Sequence, residues 1–520
     1  MENKKESLSM HPYIHTSMHQ KVLLINSVCG IGSTGRICTD LAQQFEKQGN
    51  EVKIAYGRNS YVPKQFQKYA VRIGNNLDVK LHALQTRLFD SHGFGSYNAT
   101  KKFLKWVEEY KPNLIWLHNI HDYYINIELL FNWLKQHQDI QVKWTLHDCW
   151  AFTGHCTHFM IAKCNKWQTQ CQNCPQKKMY PASLLMDNSK QNFEKKKELF
   201  TGLKTLTLIT PSKWLADLVK QSFLKEYSVE VVYNTIDKNV FKPTPSDFRK
   251  RYCLENKKII LGVSSIWNKS KGLDDFIELS KMLNENYKIV LVGLTQKQIK
   301  SLPKNILGLQ KTNRPQELAQ IYSASDIFFN PTYEDNYPTV NLEAQACGTP
   351  VVTYDVGGCK ETIYIEKSKV ISEGNIYKFI SLLKQPQRVL YVMGGVMSFG
   401  GIESSVMNYY RHFNHNQLQI DFVVHGYEKG IYDDEIVKMG GRIFHVPVKS
   451  HNPIKNILEL RKICKSYPYK IIHAHMDAMN FIPLWIAKKC GIPLRISHSH
   501  STNHLTNNKI KILLNDFIKS

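Results

Sequence analysis

Glu334, Asp335 and Glu343 bracket a polar loop and the start of a helix within YEDNYPTVNLEAQACGTPVV, residues 333–352. Seven residues separate Asp335 from Glu343, and eight separate Glu334 from Glu343. A carboxylate on a helix that opens at the mouth of a parallel sheet can accept both hydroxyls of a ribose, while the helix N-terminus faces phosphate. Glu343 is the candidate for the ribose, and the first acidic role is shared between Glu334 and Asp335. Arbitrary pairs of acids on a helix are usually solvated charges. These lie between two buried-type strands and beside Gly348-Thr349-Pro350, which favours a site. A second motif, Gly30-Ile31-Gly32-Ser33-Thr34-Gly35, fits GxGxxG after a strand and before a helix. Small residues there let backbone N–H groups approach a phosphate or sugar oxygen. A ligand-free turn remains an alternative reading. A nicotinamide site is disfavoured, because the acid expected about 20 residues on is replaced by Ala55-Tyr56-Gly57-Arg58. His147-Asp148 closes another apolar run, and His118, Asn119 and His121 follow a neighbouring one.

These groups need strands and helices to hold them. Apolar runs predict strands over 22–26, 51–56, 113–118, 142–147 and 206–210, with a helix over 36–47 ending at Gly49. A second set follows at 259–263, 288–293, 326–330 and 350–354, with a helix over 341–347. Alternating strands and helices imply parallel βαβ units with both sheet faces covered. A third set at 388–392, 419–424, 469–475 and 494–500 repeats the order of the first, and one more helix is expected before the chain stops. The fold class expected is α/β. The domains expected are a disordered tail over 1–19, a lobe over 20–240 with a cysteine-rich insertion at 149–174, a lobe over 241–386 and a partial lobe over 387–520.

The chain has 520 residues, 42% of them hydrophobic, and a formal net charge of +24. Its length suits about three domains, each able to bury a core. The positive balance favours an anionic partner such as a membrane surface or a phosphate-bearing substrate. The lysines are spread along the chain with no nucleic-acid-binding signature, so no nucleic-acid partner is expected. No apolar run is long enough to span a bilayer. The first 20 residues lack the apolar core of a signal peptide. A cytoplasmic protein, peripheral on the inner face of the plasma membrane, is expected.

The stretch from Tyr333 to Val352 resembles the acidic donor-site motif of retaining glycosyltransferases with the two-lobed GT-B architecture, of the glycosyltransferase family 4 type found in bacterial polysaccharide biosynthesis. VVYNTID, residues 231–237, followed by Phe241-Lys242-Pro243, is similar to the linker between GT-B lobes, with Thr235 in place of the usual Gly. The resemblance covers about residues 20–385 as one enzyme and 388–510 as the acceptor-side part of a second. It implies two Rossmann-like lobes plus a third, partial one. It further implies transfer with retention from a nucleotide sugar, UDP- or GDP-linked, to a glycan on a polyprenyl diphosphate lipid, in exopolysaccharide, capsule or O-antigen assembly. In this reading Gly30, Gly32 and Gly35 border the donor diphosphate, and His147 contacts the transferred sugar. Lys271 matches the lysine of the family's Lys-Gly pair, and Lys269 stands in for an Arg that the family places where Ile266 lies. Such cations stabilise charge on a departing diphosphate. With no Asp-x-Asp motif in the donor lobe, no cofactor is expected to be required for catalysis.

Of 12 cysteines, Cys156, Cys164, Cys171 and Cys174 fall in the insertion with a single CxxC step. In a reducing compartment they are candidate ligands of a structural zinc, with disulfides and free thiols as alternatives. A similar HDCW…GHC…C…C..CP insertion occurs in a subgroup of bacterial polysaccharide glycosyltransferases. Two rivals stand beside the transferase. A degenerate, non-catalytic pair acting as a scaffold in polysaccharide assembly is favoured by the missing Arg, by an acid spacing shifted from the family's usual Glu, seven residues, Glu, and by the strand that follows Leu382-Leu383 in place of closing helices. A nucleotide-sugar epimerase would use Ser96, Tyr97 and Lys101. That Tyr-x-x-x-Lys match comes earlier in the chain than the epimerase pattern places it, and is read as chance.

Overall fold

A computed structural model describes residues 19–58, 61–383, 386–415 and 417–500. The expected tail, apart from His19, and the expected final helix lie outside the described residues.

The apolar runs form parallel strands covered on both faces. The first sheet contains β1 (Lys21–Ile25), β2 (Glu51–Tyr56), β3 (Ala70–Arg72), β4 (Leu114–Leu117), β5 (Gln141–Thr145), β6 (Leu206–Thr210) and β7 (Val229–Val231), in the order β3-β2-β1-β4-β5-β6-β7. The second contains β8 (Lys258–Val263), β9 (Tyr287–Val292), β10 (Ile306–Leu309), β11 (Ile327–Asn330), β12 (Val351–Tyr354) and β13 (Lys369–Ile371), in the order β10-β9-β8-β11-β12-β13. The third contains β14 (Gln387–Met393), β15 (Leu418–His425), β16 (Ile443–Val446), β17 (Ile471–His475) and β18 (Leu494–Ser497), in the order β16-β15-β14-β17-β18. β3, β7, β10, β13 and β16 are additions to the expected set. At three or four residues each, they carry too little apolar pattern to be read alone.

The sheets fall into two units. One holds residues up to Leu254 with Ile259–Phe276 and Ile289–Gly374, and so contains the first sheet and most of the second. The other holds Glu255–Lys258, Ile277–Lys288 and the residues from Asn375 on, and so contains the third sheet. Alternation within β1 shows how the first sheet is covered. Leu23 and Ile25 join Leu117, Phe131 and Trp144 on one face, while Val22 and Leu24 join Phe45 and Trp116 on the other. Full burial of each large apolar side chain contributes about 1.5–3 kcal/mol. In each sheet the order reverses beside its opening strand, at β1/β4, β8/β11 and β14/β17. Loops leaving the carboxyl ends diverge at such points and open a crevice.

The helix after β1 spans Gly32–Lys47 and begins four residues earlier than expected, so its first turn includes part of the glycine motif. The helix after β11 spans Thr339–Ala346, and its Asn341 to Gln345 are all buried. Its buried amides are engaged: Asn341 pairs with Asn330 at 2.9 Å, and Gln345 donates to the carbonyl of Thr362 at 2.8 Å. After the helix Ile376–Leu382 the next element among the described residues is β14. Among the described residues, no helix is long and apolar enough to cross a membrane.

Candidate functional site

The carboxyl ends of β8 and β11 meet in one hydrogen-bonded cluster. After β8 the side chain of Asn268 accepts from the Lys271 N–H at 3.1 Å and closes a short turn over Lys269–Lys271. Gly272 follows at φ +70°, where a Cβ would lie 2.3 Å from the Pro331 carbonyl oxygen. Glycine therefore lets the turn seat against the segment after β11. Lys271 Nζ then reaches Asp335 Oδ2 at 2.8 Å, the Glu334 carbonyl at 3.0 Å and Thr332 Oγ1 at 3.3 Å. Lys269, expected to share this charge, is exposed on the same turn and takes no part in these bonds. With three residues per turn, side chains two apart on this 3-10 turn project about 120° apart, so one lysine is turned in and the other out.

The same loop grips the first sheet. Asn336 Nδ2 donates to the His147 carbonyl, and Glu334 Oε1 accepts from the Ile161 N–H of the cysteine-rich insertion at 3.3 Å. Glu361 accepts from the N–H groups of Lys213 and Trp214, both at 2.8 Å, and so caps the helix Lys213–Lys220. A carboxylate there satisfies orphan donors and complements the helix dipole. Asn336 and Glu361 were not legible as site residues in the sequence, where they read as ordinary loop polars.

His147 pairs with His118 through Nε2 and Nδ1 at 3.1 Å, and burial pushes its ring down to about 4. It is therefore neutral near pH 7, able to exchange hydrogen bonds with a hydroxyl but unsuited to protonate a leaving group. Beside it, His121 Nε2 lies 2.9 Å from Asp148 Oδ2, and its Nδ1 lies 3.8 Å from Asp122 Oδ1. Burial opposes the charge on His121, but the two carboxylates outweigh it and hold the ring up at about 10. Asp122 also meets Arg58 at 3.2 Å and accepts from the Tyr180 hydroxyl. Although burial acts against them, the charged His121 lowers both carboxyls, Asp122 well below the usual carboxylate range and Asp148 below its ordinary value. His121, Asp122, Asp148, Arg58 and Tyr180 thus form a charged knot. The sequence had marked only His121 and Asp148 from this knot.

Glu343 is buried on its helix, and its Oε2 accepts from the Tyr322 hydroxyl at 3.1 Å. Burial raises its pKa, while Tyr322 and Arg36 pull it back. Arg36 belongs to the helix Gly32–Lys47, so Glu343 feels a charge from the glycine-motif side of the chain. In the motif itself, Gly30 (φ +71°) donates its N–H to the Gly35 carbonyl at 3.2 Å, and a Cβ there would strike Phe66 at 2.7 Å. Gly32 (φ +67°) is open to solvent, with nothing within 4 Å of a built Cβ.

Cys156, Cys164, Cys171 and Cys174 line one cavity of about 20 Å³ together with His155. Cys171 Sγ accepts from the Gly154 N–H at 3.2 Å. A hydrogen bond from Cys156 brings the Cys174 thiol down to about 7, and the same bond raises Cys156. All four are free thiols. Among the described residues, the groups of three or more ligand atoms lying within 4.8 Å of one another are His473-His475-His498 and His92-His121-Asp122, so the cysteines share a cavity without forming so tight a set.

With this geometry in hand, likeness to known proteins decides the family. A sequence model described as Glycosyltransferase Family 4 matches residues 34–240 and 399–519, and one described as Glycosyl transferases group 1 matches residues 245–386. The chain belongs to glycosyltransferase family 4. Its relatives include EpsF of Bacillus subtilis (strain 168), named as a glycosyltransferase, which is 37% identical over 122 residues. That match covers 23% of this chain and 32% of EpsF, so it spans about a third of that relative. WcaC of Escherichia coli (strain K12), named as a glycosyl transferase of colanic acid biosynthesis, is 22% identical over 373 residues, covering 70% of this chain and 90% of WcaC. Among solved structures, sucrose-phosphate synthase from Thermosynechococcus elongatus shares the fold with a TM-score of 0.52 at 15% identity, covering 70% of this chain and 89% of that one. The family 4 chain therefore carries GT-B-type sheets, and its family match runs through the first and third of them.

Proposed function

We propose that this glycosyltransferase moves a sugar from a UDP- or GDP-linked donor to a lipid-linked glycan, with retention, during assembly of an extracellular polysaccharide. The observation that carries the reading is the junction of Lys271, Asp335, Asn336 and His147, where residues from the switch point of the second sheet meet the end of β5 in the first. Asp335 neutralises Lys271 in the structure. A diphosphate, with more negative charge, would compete for that cation, and Lys271 would then meet the charge that grows on the leaving group. Neutral His147 would bind a sugar hydroxyl, and Glu343 would accept from the ribose while Tyr322 orients it. Asp122 and Asp148 are committed to His121 and Arg58, which makes both poor nucleophiles. That arrangement supports a front-face transfer assisted by the departing phosphate. The net charge of +24 suits an acceptor carried on an anionic membrane, and WcaC's name supports the polysaccharide context.

On this reading the third sheet is an acceptor-type lobe of a second transferase, supported by the second stretch of the family match. The four thiols lining one cavity are the proposed ligands of a structural zinc in the insertion, whose binding would draw their sulfurs closer together than they lie here. It would tie down loops whose regular structure between Cys149 and Asn188 is limited to 3-10 turns at Trp150–Phe152 and Lys166–Gln168.

A panel of uridine, guanosine and adenosine diphosphate sugars, incubated with polyprenyl-diphosphate glycans, tests the proposal. Anomeric configuration is read by proton NMR of the product. Product with inverted configuration would refute the mechanism. Absence of nucleotide binding across the panel would favour the scaffold.

A further inference from the structure

The third sheet repeats a histidine pair of the first and then adds to it. In the first sheet Ile25 aligns with Leu117, and Leu117 with Trp144; in the third, Val392 aligns with Ala474, and Ala474 with Ser497. His475 therefore corresponds to His118, and His500 to His147. The contacts agree, because His475 Nδ1 lies 2.9 Å from His500 Nε2, as His118 Nδ1 lies 3.1 Å from His147 Nε2. The same register sets His473 opposite Trp116 and His498 opposite Thr145. In the first sheet those two residues are joined by a hydrogen bond from Trp116 Nε1 to Thr145 Oγ1 at 2.8 Å. In the third sheet both positions are imidazoles, with rings 5.4 Å apart and nearly parallel at 11°.

Ligand atoms of His473, His475 and His498 all lie within 4.8 Å of one another. Among the described residues, Nε2 of His473 and Nε2 of His475 are solvent-inaccessible with no hydrogen-bond partner, and His475 is 3% exposed. A buried ring nitrogen left unmatched is costly, and a metal ion would satisfy both. His475 already has an outer partner in His500, the arrangement that orients metal-bound imidazoles. The segment after β18 is held in place, with Asp477 accepting from the His500 N–H at 2.7 Å and Asn480 donating to the His498 carbonyl at 3.1 Å. In the other three-residue group, His92-His121-Asp122, His92 Nε2 accepts from the Asp122 N–H and His121 already lies between two carboxylates, while Nδ1 of His92 and of His121 have no hydrogen-bond partner among the described residues.

We infer that His473, His475 and His498 form a three-imidazole site for a borderline divalent cation such as zinc, at the switch point of the third sheet. Three nitrogen ligands leave a coordination position open to water. The site lies outside the machinery assigned to sugar transfer and does not depend on that assignment.

The test uses the full chain, stripped with a chelator, reloaded with excess Zn²⁺ or Co²⁺ and desalted. Wild type is expected to retain one more equivalent of zinc than His498→Thr, which restores the first sheet's residue at an exposed position. His473→Ala should lose the same equivalent. The Co²⁺ difference spectrum between wild type and His498→Thr should show weak visible bands without sulfur charge transfer, which separates this site from the cysteine cavity. Equal zinc content in wild type and both variants, with unchanged metal-free melting, would overturn the inference.

Discussion

The side-chain amide of Asn336 donates to the backbone carbonyl of His147, so the loop after β11 is fastened to the end of β5. The bond sets the distance between the Lys271 cluster and the His118–His147 pair. Asn336→Ala should lower kcat/KM about five- to tenfold, corresponding to roughly 1–1.4 kcal/mol for a lost hydrogen bond in this setting. The melting temperature should move little. Steady-state kinetics with saturating acceptor check this, and unchanged kcat/KM would remove the bond from the mechanism.

Lys271 and Asp335 should separate in their effects. Lys271→Met removes the cation that meets the leaving diphosphate and should cut kcat by about 100-fold or more, the scale of losing one preorganised electrostatic contact. Asp335→Asn frees the same cation and should tighten binding of free nucleoside diphosphate. Isothermal titration of both variants distinguishes them. Equal weakening by both would mean that the ion pair only holds the loop in place.

His121 gives the fold a pH dependence with a defined sign. Its ring rises from the ordinary 6.5 to about 10, so its stabilising contribution is complete below pH 6.5 and fades as pH climbs towards 10. Asp122 and Asp148 act oppositely, contributing above the usual 3.8 and losing that contribution in acid. His147, pushed down to about 4, costs stability as pH falls from 6.5. Between pH 7 and 10 the wild type should lose melting temperature that His121→Gln does not. The difference between the two melting curves is the check, and parallel curves would contradict it.

Tyr322 holds the buried carboxylate of Glu343. Tyr322→Phe leaves that group with one partner fewer and should destabilise the chain by about 1–3 kcal/mol. It should also weaken donor binding less than Glu343→Ala does. Denaturant melts and nucleotide titrations on the two variants test the order.

Much of this arrangement was legible because parallel strands covered on both faces write long apolar runs, as in VLLI before the glycine motif and IFFN before the acidic loop. The edge strands β3 and β13, of three residues each, left no such trace. Lys271 was legible through its match to the family's Lys-Gly pair, and the structure supplies the physical reason for the glycine, since Gly272 takes a positive φ against Pro331. The roles of Asn336 and Glu361 could not be read, because each acts on a backbone group more than 140 residues away in sequence. The difference between Lys269 and Lys271 was equally hidden, for spacing alone does not say which way a short turn faces. Likewise, the cysteine spacing located one cavity but not how closely its sulfurs approach.

Donor binding in the proposed transfer rests above all on Glu343 gripping the nucleotide. The direct measurement is the thermal shift produced by nucleotide sugars on wild type and Glu343→Ala. At a ligand concentration about 100-fold above Kd, wild type should gain roughly 2.7 kcal/mol and several degrees of melting temperature. Glu343→Ala should gain almost nothing from the same sugar. A full shift retained by Glu343→Ala would contradict the account.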